Sequence, residues 1–341
     1  MPNVTLLTRD DARLTFPCSE RDYVLDAAEG AGLYLQAMCH EGVCGVCHAH
    51  VSEGHFSLGP IAPGALHDAQ SGAVLLCRCR PESDLLIAVP YPQAAIHHQA
   101  APTREAKITA LTPAGSDAVV VKLALTPDAK LGTAADFVPG QYMEVGIPDT
   151  KIQRAYSLAN LPNWDGQTEF LIRLKPGGAF STWLGKQARV GDKLALRGPF
   201  GHFVLDEGSP RPRCFIGGGC GFAPLLSMLR HLAEFQDMQS TTLMFGVNRQ
   251  DELFATDEIK ELQAALPELR VLLCVWHPEG TWKGFVGTAA DAFAKLLDQG
   301  GEQPDVYICG PPKMLEAVRS VAAAHSLPSS QIFVEQLPMA A

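Results

Sequence analysis

The chain has 341 residues, 47% hydrophobic and 19% charged, with a formal net charge of −10. That length calls for two or three domains, that composition excludes disorder, and no apolar run approaches the roughly 18 residues of a membrane span. Residues 1–95 hold eleven Asp and Glu against five Arg and no Lys, which disfavours nucleic acid and anionic membrane and suits either plain solubility or a basic patch on a protein partner. The start Met1-Pro2-Asn3-Val4 is not a basic segment followed by an apolar one, so a cytoplasmic protein is expected.

Two short apolar stretches, 4–8 and 12–16, flank Asp10-Asp11 and predict a β-hairpin. A helix follows, with Asp22 as its expected cap and Val24, Leu25, Ala28 and Leu33 at helical spacing. Then come Cys39, Cys44, Cys47 and Cys77 in the order C-x4-C-x2-C-x29-C. This is the spacing of a plant-type [2Fe-2S] ferredoxin, in which thiolates sit on a tight loop whose amides point at the sulfurs. A structural zinc site built on Cys44-x2-Cys47 and Cys77-x-Cys79 is the alternative. A Rieske centre needs a C-x-H pair as well as a C-x2-H pair, and the chain has no C-x-H pair, so His40, His48, His50 and His55 are expected at the surface. Cys18, Cys214 and Cys274 read as small buried residues. The run Val74-Leu75-Leu76 ends on the fourth ligand, a last strand is expected over 85–89, and residues 94–104 have linker composition.

Alternation over 119–125, 142–147, 170–174 and 193–197, between Pro and Gly turns, predicts an antiparallel β-barrel. Within it Arg154, Tyr156 and Ser157 bring a phosphate-binding cation, a flat aromatic and a hydroxyl to one strand, with Arg154 and Tyr156 on the same face. A helix over 180–188, opening after Gly177-Gly178 with Ser181 in its first turn, is a ready anion site. Beyond Pro210 strands alternate with amphipathic helices: strands over 214–216, 242–247, 271–275 and 306–309, helices over 224–235, 257–265, 289–297 and 313–324. The loop Gly217-Gly218-Gly219-Cys220-Gly221 lies between a strand and a helix, where bare amides approach a pyrophosphate; a tight turn alone would also explain its glycines. Cys309-Gly310-Pro311-Pro312 ends a second buried strand. After Val247-Asn248 the run Arg249-Gln250-Asp251-Glu252 suits a free ribose 2′-hydroxyl through its acids, with Arg249 pointing the other way.

These residues, in this order, resemble the ferredoxin-NAD(P)H reductase superfamily, specifically the N-terminal-ferredoxin reductases of bacterial multicomponent oxygenases, over nearly the whole chain. The reductases of soluble methane monooxygenases are most similar, through Arg154-Ala155-Tyr156-Ser157-x-Ala159-Asn160-Leu161-Pro162, Phe245-Gly246-Val247-Asn248, Cys274-Val275-Trp276-His277-Pro278 and Cys309-Gly310-Pro311-Pro312. The resemblance implies a multidomain α+β and α/β protein: a β-grasp [2Fe-2S] ferredoxin domain over 1–93, a linker over 94–104, an antiparallel β-barrel FAD domain over 105–206 and a Rossmann-like NAD domain over 207–341. It implies that Arg154 binds the flavin pyrophosphate, Tyr156 packs on the isoalloxazine, Ser157 lies near N5, and Gly178 to Ser181 hold phosphates. Gly218, Gly219, Gly221 and Pro224 would face the dinucleotide, with Cys309 and Gly310 beside the nicotinamide and Glu335 as the family acid. NADH would give a hydride to FAD, and electrons would pass singly through the cluster to an oxygenase (hydroxylase) component. A reductase serving a deoxysugar-forming dehydratase, and a catalytically silent redox sensor, are the competing readings. The chain departs from the family at Cys220, where Thr or Ser is usual, at Leu337, where an aromatic covers the flavin, and at His40, where a basic residue is common.

Overall fold

The computed structural model describes every residue except 38, 44, 64, 67–70 and 336–341. The described chain divides into two compact units, one formed by Met1–Pro102 and Phe200–His202, the other by Thr103–Pro199 and residues 203–335.

In the first unit β1 (Asn3–Leu7) and β2 (Arg13–Pro17) form the expected hairpin, with Val4 opposite Phe16 and Leu6 opposite Leu14. Period-two alternation buries Val4 and Leu6 on the inner face. The helix α1 (Val24–Gly30) buries Val24, Leu25 and Ala28. Its N-terminal residue is Tyr23, without a side-chain cap. Asp22, expected as the cap, instead donates its amide to Ser19 O in the preceding turn, and the helix stops three residues before Leu33, which is buried all the same. Three strands of the main sheet and a small pair follow: β3 (His48–Glu53), β4 (Phe56–Leu58), β5 (Ala73–Leu75), β6 (Cys79–Pro81) and β7 (Leu85–Ala88). The main sheet runs β2-β1-β7-β3-β5 and β4 pairs with β6. The central β1 and β7 are parallel, and the sheet with α1 makes the β-grasp. Residues 94–97 also belong to this unit. Ile96 is buried, Gln36 donates to Ala95 O at 2.6 Å, and Tyr34 and His97 exchange two backbone hydrogen bonds.

The second unit opens with β8 (Thr103–Ala114), β9 (Ala118–Leu125), β10 (Tyr142–Gly146), β11 (Gln153–Ser157), β12 (Gln167–Arg173), the helix α2 (Ala179–Lys186) and β13 (Lys193–Phe200). The strands run β11-β10-β13-β8-β9-β12, and a bridge between Leu158 and Phe170 closes the ends into a barrel. Ile108, Val121, Leu123, Phe170, Ile172, Leu194 and Leu196 fill the inside, and Phe180 and Leu184 of α2 pack into the same core.

A parallel sheet follows, built from β14 (Arg213–Gly218), β15 (Thr241–Val247), β16 (Leu269–Val275), β17 (Phe285–Val286), β18 (Asp305–Cys309) and β19 (Ile332–Glu335), in the order β17-β16-β15-β14-β18-β19. The helices are α3 (Phe222–Glu234), α4 (Thr256–Ala265), α5 (Ala289–Asp298) and α6 (Pro312–Ala324). Strands buried on both faces read as continuous apolar runs, as β14 and β18 do. The winding reverses between β14 and β18, so the crevice where such sheets take ligands lies at the ends of those two strands. Among the described residues no helix is long and apolar enough to cross a membrane.

Candidate functional site

The cysteine loop lies between α1 and β3. Cys77 sits in a helical turn after β5, and its thiol is pushed well above its ordinary value, first by contact with the Cys39 and Cys47 thiols. The Cys39 and Cys47 thiols thus each lie beside Cys77. Backbone amides aim at them: Glu41 N–H at the Cys39 sulfur at 3.4 Å, and Gly42 N–H at Cys77. Cys44 lies outside the described residues, and those residues alone contain no group of three donors around a single ion. Beside Cys77, Arg78 and Arg80 stack on Tyr23 at 5.1 and 4.2 Å, pinning the Cys77 turn to the start of α1. The sequence reading missed this contact. His40, His48 and His50 are half-buried and only His55 is fully exposed, so the surface expectation holds in part. Cys18, Cys214 and Cys274 are buried as expected.

On β11, Arg154 and Tyr156 share a face. Tyr156 packs on Phe180 at 5.3 Å between ring centres, and the Arg154 guanidinium donates to Gln153 O. Ser157 is buried, and its Oγ has no hydrogen-bond partner. A buried hydroxyl left unpaired costs about 1–3 kcal/mol, so this atom is set to meet a polar ligand atom. Ser181 is different: its Oγ accepts from Lys175 N–H at 3.0 Å and donates to Arg173 O at 3.3 Å. Its hydroxyl shapes the loop before α2. At that helix start an anion would meet backbone amides after Gly178, which is the first non-helical residue.

At the crevice the two loops touch without room for side chains. A Cβ on Gly218 would lie 2.8 Å from Pro311 Cδ and Met314 Sδ, and one on Gly221 would run into the Cys309 carbonyl. Gly219 turns with φ 53°, a conformation cheap only for glycine. Pro224 stands in the first turn of α3, where its missing N–H costs no helical bond. Burial pushes the Cys220 thiol up to about 12, so at neutral pH it is a protonated, poorly nucleophilic group. Cys220 lies close enough to bear electrostatically on Tyr156 and on Cys309. Cys309 in turn pairs in register with Glu335 across β18 and β19. Tyr156, the glycine loop, Cys309 and Glu335 thus lie near one another. Leu337 lies outside the described residues.

Three family models match consecutive stretches: a 2Fe-2S iron-sulfur cluster binding domain over 7–82, an oxidoreductase FAD-binding domain over 105–205 and an oxidoreductase NAD-binding domain over 215–320. The reductase component of propane 2-monooxygenase from Rhodococcus jostii (strain RHA1) is 36% identical over 327 residues, 93% of this chain and 87% of that protein. The chain belongs to the family of reductase components of oxygenases. It is an oxidoreductase with FAD-, NAD- and [2Fe-2S]-binding domains. Another member, methane monooxygenase component C from Methylosinus trichosporium, is 39% identical over 267 residues, 77% of this chain and 78% of that one. Among solved structures, the ferredoxin reductase in carbazole 1,9a-dioxygenase aligns over 97% of both chains with a TM-score of 0.70 and 28% identity. The Amycolatopsis cytochrome P450 reductase GcoB aligns over 98% of both, with a TM-score of 0.74 and 26% identity.

Two further groups in this reductase were given no role by the sequence reading. Asn160 ties its own turn together, accepting from Glu169 N–H at 2.7 Å and donating to Leu161 O and Gln167 O. Ser227 and Arg230, one turn apart on α3, read as ordinary polar residues of an amphipathic helix.

Proposed function

We propose that this reductase takes a hydride from NADH and passes electrons singly to the oxygenase component of a multicomponent oxygenase in the cytoplasm. The observation that carries the reading is the unpaired, buried Ser157 Oγ on the strand whose Tyr156 adjoins the glycine loop. Arg154, Tyr156, Ser157 and the α2 start from Gly178 to Ser181 would hold FAD. Gly218, Gly219, Gly221 and Pro224 would hold the NADH pyrophosphate, Cys309, Gly310 and Glu335 would stand at the nicotinamide, and Cys39, Cys44, Cys47 and Cys77 would hold the cluster. Bound FAD supplies the exchange of two-electron for one-electron chemistry. The protein's part is to align donor and acceptor and exclude water. The domain limits we infer are 1–93, 105–206 and 207–341, with a connection over 94–104. The oxygenase as acceptor rests on the relatives' names, such as toluate 1,2-dioxygenase electron transfer component in Pseudomonas putida. An anaerobic NADH titration tests the reading. Flavin bleaching with a rhombic [2Fe-2S] resonance signal supports it; a flavin that stays oxidised while dithionite reduces the cluster refutes it.

Arg249 is held by its neighbours, with Nε and Nη2 at 3.1 and 3.0 Å from the two Asp251 oxygens. The pair is more than half exposed and worth little to stability. Its bidentate geometry nevertheless occupies the fork a 2′-phosphate would need. Asp251→Asn is therefore expected to raise kcat/KM for NADPH by roughly tenfold, about 1.4 kcal/mol, with little change for NADH. Steady-state kinetics with both nucleotides check this; an unchanged ratio would show that Arg249 does not face the ribose.

A further inference from the structure

We propose that Ser227 and Arg230 are positioning residues that lock the dinucleotide-binding helix to the flavin strand and thereby set the distance for hydride transfer. The inference rests on the flavin and NADH assignments above. Helix α3 begins where the glycine loop ends, so any slide or tilt of α3 moves that loop. Ser227 and Arg230 lie at i and i+3, on one face. Ser227 is fully buried, and its Oγ donates to Asn160 O at 2.6 Å. Arg230 Nη1 donates to Ala159 O at 2.7 Å. Those two carbonyls belong to the residues two and three places after Ser157, in the same chain segment.

The receiving segment is itself rigid. Ala159 N–H donates to Glu169 O at 2.8 Å, and the Asn160 side chain closes the turn onto Glu169 and Gln167. Arg230 is also held from both sides, by Glu169 of β12 at 3.0 Å and Glu258 of α4 at 2.6 Å. The same guanidinium nitrogen serves Ala159 O and Glu169, so the charge keeps the fork pointed at the flavin-strand turn. About 9 Å of helix, six residues at 1.5 Å each, separates Ser227 from the glycine loop. A short, stiff lever of that kind transmits a displacement at the bolt to the loop nearly undiminished. The Cys220 thiol bearing on Tyr156 marks where the two elements meet at the far end.

The step at stake breaks the nicotinamide C4–H bond and forms a bond from that hydride to flavin N5; NADH leaves as NAD⁺ and the flavin gains two electrons. An error of about 1 Å in such an alignment costs on the order of a hundredfold in rate. The test uses the full holoprotein and four variants: Ser227→Ala, Arg230→Gln, Arg230→Lys and, as control, Lys122→Gln. Lys122 pairs with the other oxygen of Glu169 at 3.3 Å and is not part of the bolt.

Anaerobic stopped-flow reduction with NADH and with 4-deuterated NADH should show the limiting rate falling roughly 10- to 100-fold in Ser227→Ala and Arg230→Gln. The dissociation constant of NADH should stay within about twofold, with a larger isotope effect and a weakened long-wavelength charge-transfer band. Arg230→Lys should restore part of the rate. Lys122→Gln should lower the melting temperature without slowing hydride transfer. Amide exchange should quicken at 157–161 and 217–227 in the two slow variants, a readout independent of turnover. If the variants melt earlier but reduce flavin at the parent rate, the pair is merely structural and the proposal fails. If the unmodified protein does not bleach with NADH, the functional reading fails instead.

Discussion

Cys77→Ala should abolish one-electron delivery while leaving hydride uptake intact. Cys77 is the hub of the sulfur cluster, in contact with Cys39 and Cys47 and receiving the Gly42 amide. Its replacement removes one of the four proposed ligands, and alanine offers no donor atom to substitute for the sulfur. Because its side chain is small and buried, truncation leaves a modest cavity, costing about 1 kcal/mol per methyl-sized void. The second unit has its own cores. NADH should therefore still bleach the flavin, and a two-electron dye should still be reduced at close to the parent rate. Reduction of a one-electron protein acceptor should fall by roughly a thousandfold or more, since the cofactor carries that chemistry. The rhombic resonance signal and the iron content should be lost together. A variant that keeps both the signal and the acceptor rate would show that Cys77 is not a ligand.

The elements legible in the sequence were those with strong local patterning. The β14 and β18 runs, the glycine loop and the amphipathic α3, α5 and α6 stand out because burial on both faces, or on one stripe, leaves a periodic mark. The same holds for the cysteine spacing and for Arg154-Ala155-Tyr156-Ser157. What escaped notice lacks such a mark. The strand β3 reads His-Ala-His-Val-Ser-Glu, too polar to announce itself. The two-residue β17 is below any period, and β8 carries Pro113 and a register shift between Ile108 and Ala110. Asp22 looked like a cap because its residue type favours that role, but the chain enters α1 one residue later and spends the Asp22 amide on the preceding turn.

The site divides along the same line. The sequence pointed to Ser157 through its motif, but only packing reveals that its hydroxyl is buried and unpaired while the Ser181 hydroxyl is already engaged. Ser227 and Arg230 of α3 lie more than fifty residues from Glu169 of β12, and no local pattern links them. Their significance is a property of tertiary contact, and so is the clasp that ties Arg249 to Asp251.

Glu335→Gln should make the NAD-binding domain more stable at alkaline pH and remove a pH dependence that the parent shows. Glu335 is 8% exposed, and burial alone pushes its carboxyl up to about 8, from an ordinary 4.5. Between those values the folded protein keeps a proton that the unfolded chain has released. The unfolded state binds fewer protons there, so stability falls as pH rises through the window. Below about pH 4.5 the group is neutral in both states and the full contribution is present. Above about pH 8 it is ionised in both and the slope disappears. At about 1.4 kcal/mol for each unit of displacement, the total is of the order of 5 kcal/mol, a large share of a domain's usual margin. Glutamine has the same shape and no proton to lose. The difference between variant and parent stability, followed by urea unfolding between pH 5 and 8, should therefore grow steadily with pH, cancelling the contributions of every other titrating group. Near neutrality the parent carboxyl is chiefly protonated. It then stands opposite Cys309 as a neutral group able to donate a hydrogen bond, adding no negative charge there. Parallel stability curves for parent and variant would mean that Glu335 ionises freely in the fold, and both the burial argument and the neutral-donor role would fall with it.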